Sequence, residues 1–132
     1  MKFEAANGVY ISNIEIEELR HQMNRLDGVA NSFALLEDEH ESYIQVGGGP
    51  FQFTVESRIY ENQTEFIHKK ATVKSYVNPS EVQLLIGGNP TTVKQNQILN
   101  LSQVTLLFEH FLHNSDFSDS VDWEDITDWF RD

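Results

Sequence analysis

The stretch Ser42-Tyr43-Ile44-Gln45-Val46-Gly47-Gly48-Gly49-Pro50-Phe51-Gln52-Phe53-Thr54-Val55-Glu56-Ser57-Arg58 reads as two strands joined at a glycine tip, and that reading decides the fold. Side chains on a strand alternate between faces, so a period of two is a strand signature. Ile44 and Val46 fall on one side of the first strand (42–46), Tyr43 and Gln45 on the other. In the second strand (51–60), Phe51, Phe53 and Val55 oppose Gln52, Thr54, Glu56 and Arg58. The Gly-Gly-Gly-Pro break between them suits a hairpin tip or a bulge. A phosphate loop is the rival reading. It needs a Gly-Lys-Ser/Thr ending that opens a helix, and here Pro50 and Phe51 lead into a strand instead.

Outward from this hairpin the pattern continues. Residues 32–37 are short and apolar, and Asp38-Glu39-His40-Glu41 forms a polar turn before the quoted stretch. Glu61-Asn62-Gln63 is a turn after it. Residues 65–77 predict a long strand with Ile67, Ala71, Val73 and Val77 on one face. Residues 82–86 predict another, closed by Gly87-Gly88-Asn89-Pro90. Alternation of this kind suits an antiparallel sheet with one buried face. A helix is predicted over 13–26, with Ile16, Leu19, Met23 and Leu26 as its stripe and Ser12 and Glu15 at capping-box spacing. A second is predicted over 101–113, with Asn100 as cap and Gln103 three residues on. Its stripe of Leu101, Val104, Leu107, Phe108, Phe111 and Leu112 is the widest in the chain. The expected fold is α+β: an antiparallel β-meander of four to five strands, with an N-terminal and a C-terminal helix packed on one face.

The 132 residues suit one domain spanning 1–132, ending in an acidic segment over 116–132 that closes with a helical turn around 125–130. Cysteine is absent, which excludes disulfides, thiol nucleophiles and thiolate metal sites. With 9 Lys+Arg against 21 Asp+Glu the formal charge is −12, which argues against a nucleic-acid binder and favours a basic partner. Residues 1–60 carry −6, 61–100 carry +1 and 101–132 carry −7, so the two ends are acidic and the middle is near neutral. The N-terminus has no signal-peptide pattern and no run reaches membrane-spanning length, so the expected location is cytoplasmic, away from membranes.

Candidate chemistry is thin. His110 and His113, beside Glu109, have spacing that can share a metal, but zinc takes three or four ligands and no His-Glu-x-x-His pattern is present, so they read as surface histidines. Asp116, Asp119, Asp122, Asp125 and Asp128 recur every third residue without the glycine and terminal glutamate of a calcium loop, and they read as one negative face. Trp123 and Trp129 lie within that run, with Phe117 and Phe130 near. Aromatics in an acidic field suit a protein interface, where large anchors give affinity and charges steer encounter. The competing reading is that the tryptophans fold back over the core. The partner-binding candidates are therefore Asp116, Asp119, Asp122, Trp123, Glu124, Asp125 and Asp128, with Glu37, Asp38, Glu39 and Glu41 as a second patch. No catalytic residue, metal ligand or cofactor is expected, and no Gly-x-Ser-x-Gly elbow occurs.

Residues 41–58, together with the apolar helix at 104–112 and the closing Val121-Asp122-Trp123-Glu124, resemble a family of bacterial immunity proteins from polymorphic-toxin and contact-dependent growth-inhibition loci. The shared pattern is a Tyr/aliphatic/Gln strand, a Gly-Gly turn and a Thr-Val-Glu strand. The resemblance implies binding to a cognate toxin C-terminal domain, of nuclease type and with a basic surface, and blocking it. It brings no fixed binding residues with it. Two other classes fit the composition: a small metal-dependent or acid–base enzyme using His110, His113 and the acids, and a general acidic adaptor for a basic protein.

Overall fold

The structure, a computed structural model, describes residues 1–74 and 77–131. The chain is α+β. In order it forms β1 (Lys2–Ala5), β2 (Tyr10–Ile11), α1 (Ile16–Met23), β3 (Phe33–Glu37), β4 (Tyr43–Gly48), β5 (Phe53–Tyr60), β6 (Phe66–Thr72), β7 (Glu81–Ile86), β8 (Asn89–Lys94), α2 (Leu101–Asn114) and β9 (Asp122–Asp125). Short 3-10 turns follow β8 (Gln95–Gln97) and β9 (Thr127–Phe130). Seven strands make one antiparallel sheet in the order β2-β1-β3-β4-β5-β6-β9, and β7 pairs with β8 as a separate hairpin. The expected four to five strands thus become nine among the described residues. The meander β3 to β6 is the part that local alternation predicts. β1, β2, β8 and β9 are additional: β2 and β8 through local hairpins with β1 and β7, and β1 and β9 through pairing with the distant strands β3 and β6.

The register explains the core. Ile44 lies opposite Ser57 and Val46 opposite Val55, so the apolar sets of β4 and β5 share one face. That face also carries Phe3, Leu36 and Ala71, all fully buried. These residues form a single buried cluster with Leu19 and Met23 of α1 and with Val104, Leu107, Phe108 and Phe111 of α2. Side chains of this size contribute about 1.5–3 kcal/mol each when fully buried.

Local expectations hold where the chain is free to follow them. Asn100 caps α2, accepting from the Gln103 amide at 2.8 Å while Gln103 reaches back to the Asn100 amide at 2.8 Å. The helix at 13–26 is shorter than its pattern. It begins at Ile16 with Glu15 as an uncapped N-cap, and the Ser12–Glu15 box does not form. The Ile14 amide instead donates to the Met1 carbonyl at 3.2 Å, holding this segment outside the helix. Phe51 belongs to the hairpin tip and is 82% exposed, because β5 starts two residues later. The strand expected over 65–77 ends at Thr72, Val77 is exposed, and residues 75 and 76 lie outside the described residues.

The opposite face of the sheet is not simply solvated. The β7–β8 hairpin lies over part of it. Gly87 and Gly88, at φ of 60° and 82°, make the two-residue turn that joins Ile86 to Asn89. Ile86 Cδ1 lies 2.9 Å from where a Cβ on Gly47 of β4 would be. Leu84 and Val93 are buried outside the main core, and form a second, thinner layer. At the hairpin tip the Gly87 amide donates to the Gly28 carbonyl at 2.9 Å.

Candidate functional site

Polar side chains on the hairpin-covered face line up across the strands because the register places them opposite one another. One row runs Glu37, Tyr43, Arg58, His68 from β3 to β6, and the next runs Leu35, Gln45, Glu56, Lys70, Glu124 from β3 to β9. His68 is 1% exposed. Its Nδ1 accepts from Arg58 Nε at 3.0 Å and its Nε2 lies 2.7 Å from Glu56 Oε1. A guanidinium N–H can only donate, so Nδ1 carries the lone pair and the ring proton sits on Nε2, facing Glu56. Arg58 is held in turn by aromatic faces, 3.9 Å from the Phe66 ring centroid and 4.9 Å from that of Phe130. Burial pushes the Glu56 carboxyl upward, but the His68 hydrogen bond and the charges of Lys70 and Arg58 outweigh it, and the group ends below its ordinary range.

Glu124 is engaged on the same face. It accepts from Lys94 Nζ at 3.2 Å and from Gln97 Nε2 at 2.9 Å, tying β9 to the base of the hairpin.

The acidic C-terminal segment is not one negative face. It is a loop, a strand and a 3-10 turn, so a spacing of three does not repeat on one side. Asp122 and Asp125 point to opposite faces of β9, because a separation of three in a strand reverses direction. Asp116 pairs with His110 Nε2. Asp119 is exposed, and its carbonyl accepts from Lys74 Nζ at 2.6 Å. Asp125 accepts from the Thr127 amide and hydroxyl, which hold its carboxyl below the ordinary range. Asp128 is exposed, with Arg131 Nη1 3.8 Å from its Oδ1. Trp123 packs against the core, edge-on to Phe117, and donates Nε1–H to the Ser118 carbonyl at 2.7 Å. Trp129, which the sequence pattern does not separate from Trp123, is the exposed tryptophan at 72%.

The second patch also divides. Glu37 pairs with Lys2 at 2.9 Å. Asp38 is buried and accepts from the His40 and Ser42 amides, shaping the β3–β4 turn. Glu39 and Glu41 are exposed and line an open groove of about 740 Å³ with Tyr60 at the end of β5 and Glu61 of the turn that follows. His113 is exposed, and the described residues contain no group of three His, Asp or Glu arranged to hold a metal. No helix among them is long and apolar enough to cross a membrane. Compared with known proteins, the chain matches no family model and no curated protein.

Proposed function

We propose that the chain is a cytoplasmic immunity protein that binds a cognate, nuclease-type toxin domain and neutralises it by protein–protein contact, with no chemistry of its own. The observation that carries this reading is the division of charge. Most cations are used inside the molecule: Lys2 on Glu37, Arg20 on Glu109, Lys94 on Glu124, Arg58 on His68 and Lys69 over the Phe117 ring. The acids outnumber them, and most are exposed at the surface. A net −12 with few free cations repels phosphate backbones and attracts basic protein surfaces.

The contact face we favour is the β9 edge with its flanks. Asp119, Asp122 and Asp128 are exposed along this segment and would supply charge, with exposed Trp129 as an aromatic anchor. β9 is the last strand of the sheet, and among the described residues no strand pairs with its outer side. The helices then serve as backing for the sheet. Association steered by charge reaches about 10⁸–10⁹ M⁻¹s⁻¹ at low salt, which suits capture of a toxin before it acts.

The test is co-expression with the C-terminal domain of the protein encoded directly upstream, scored for toxicity on its own. Restored growth and co-purification are expected. Reversing Asp119, Asp122 and Asp128 to Lys slows association and flattens its salt dependence. Failure to protect sinks the immunity reading, and unchanged kinetics of the triple variant removes the β9 edge as the interface.

A further inference from the structure

The large sheet ends in two edge strands, β2 and β9. β2 is two residues long and offers little to pair with. β9 has four, and register fixes which of its backbone groups are spent. Asp125 lies opposite Lys69, which sets Ile126 opposite His68, and the Ile126 amide donates to the His68 carbonyl at 2.9 Å. Hydrogen-bonded and open positions alternate along an antiparallel ladder. Asp122 and Glu124 therefore turn their amides and carbonyls toward β6, and Trp123 and Asp125 turn theirs away from the sheet. Among the described residues no hydrogen bond uses these four outward groups. They are two donors and two acceptors at the spacing of a strand.

Charge decides what can pair there. Asp122 and Asp125 are exposed at the two ends of β9, one on each face, with Glu124 between them. A second copy of β9 laid alongside would set acid against acid, and like charges directly opposite destabilise a strand pair. Charge on an edge strand ordinarily keeps it from pairing at all. Here it has one sign, so it bars a copy of the same chain and admits a strand of the opposite sign.

We propose that β9 takes an extended lysine- or arginine-bearing segment of its partner as an eighth strand of the large sheet. The outward groups of Trp123 and Asp125 hold its backbone, and its cations lie opposite Asp122 and Asp125. The toxin reading supplies the identity of the partner; the pairing geometry stands without it.

The test has two arms. In the first, the full ¹⁵N-labelled chain is titrated with a synthetic hexapeptide alternating valine and lysine, with its fully N-methylated form, and with a valine–glutamate form. The lysine peptide is expected to give saturable shifts at Trp123 and Asp125 and to slow exchange of their amides about tenfold. The N-methylated peptide keeps the charge but has no amide to donate, and binds about tenfold more weakly. The glutamate peptide gives no saturable shift. Strand addition is overturned by no saturable binding of the lysine peptide, by equal binding of its N-methylated form, or by a concentration-dependent dimer of the chain alone that already protects these amides. In the second arm, amide exchange is measured in the complex with the C-terminal domain of the protein encoded directly upstream. A neutralised toxin that leaves Trp123 and Asp125 exchanging as in the free chain overturns strand addition while immunity stands. A domain that is not toxic, or not neutralised, sinks the immunity reading while the peptide arm still decides the pairing.

Discussion

The Nε–H of Arg58 points at Nδ1 of His68 from 3.0 Å, and this contact settles which nitrogen of the ring is protonated. His68 is thereby a spacer between a permanent cation and a carboxylate, donating to Glu56 and accepting from Arg58. Such a chain is worth most when complete, because removing its centre strands two charged groups at once.

His68→Phe is expected to cost about 2–4 kcal/mol, since the ring shape survives and both hydrogen bonds are lost. Urea denaturation measures it. Adding Arg58→Met should cost less than the sum of the two single changes, because the second removes a group the first has already stranded. Strict additivity would mean the two residues are not coupled.

Glu56 makes stability depend on acid. Its carboxyl is lower in the folded chain than in the unfolded one, so the unfolded chain takes up a proton first as the pH falls. The stability it supplies is complete above the ordinary carboxylate range and is lost as the pH drops through the folded value. Glu56→Gln should therefore be less stable than the parent at neutral pH and should lose stability less steeply in acid. Parallel slopes in thermal melts from pH 7 to pH 3 would show that other carboxylates carry the effect.

Gly28 has φ of 79°, and a Cβ there would lie 2.1 Å from the Gly49 carbonyl oxygen. Gly88 has φ of 82° with open space around it. Gly28→Ala must move the β4–β5 tip, whereas Gly88→Ala bears only the left-handed backbone penalty of about 1–2 kcal/mol. Melting temperatures should fall clearly further for Gly28→Ala. Equal losses would mean that the loop after α1 shifts freely.

The two tryptophans should separate stability from recognition. Trp123→Ala removes a half-buried ring and a hydrogen bond, and should cost about 2–3 kcal/mol. Trp129→Ala should stay within about 0.5 kcal/mol of the parent in stability while weakening toxin binding. A stable Trp123→Ala variant, or full affinity in Trp129→Ala, would reverse the assignment.

These residues also show what the sequence makes legible. The meander is readable because residues 32–37 are a short apolar run and the three strands after it alternate, and α2 because its stripe and its Asn100 cap agree. β9 is not, since Asp122-Trp123-Glu124-Asp125 is rich in residues that disfavour strands; it is held by distant partners, with Trp123 packed on the core, Glu124 bonded to Lys94 and Gln97, and Lys69 and Lys70 opposite its acids. β8 hides behind Asn89-Pro90, which look like a terminator; Pro90 sits instead at the second position of a short strand that pairs on one side only. The surplus of acids is visible in composition. Which of them are spent on Lys94, His110 or Thr127 is a matter of tertiary placement. The burial of Thr54 and Lys70 escapes notice because both occupy outward positions of their strands, and only the second layer turns outward into buried.

That second layer has its ladder with itself alone. Every strand in the middle of the large sheet is bonded on two sides, so freeing one ruptures two ladders. The hairpin can lift by releasing its base, its Gly87–Gly28 tether and a thin apolar contact, and the seven-stranded sheet stays whole. Native-state deuterium uptake should therefore sort the amides into two populations, with β7 and β8 exchanging through a local breathing event and β4 and β5 only through global unfolding.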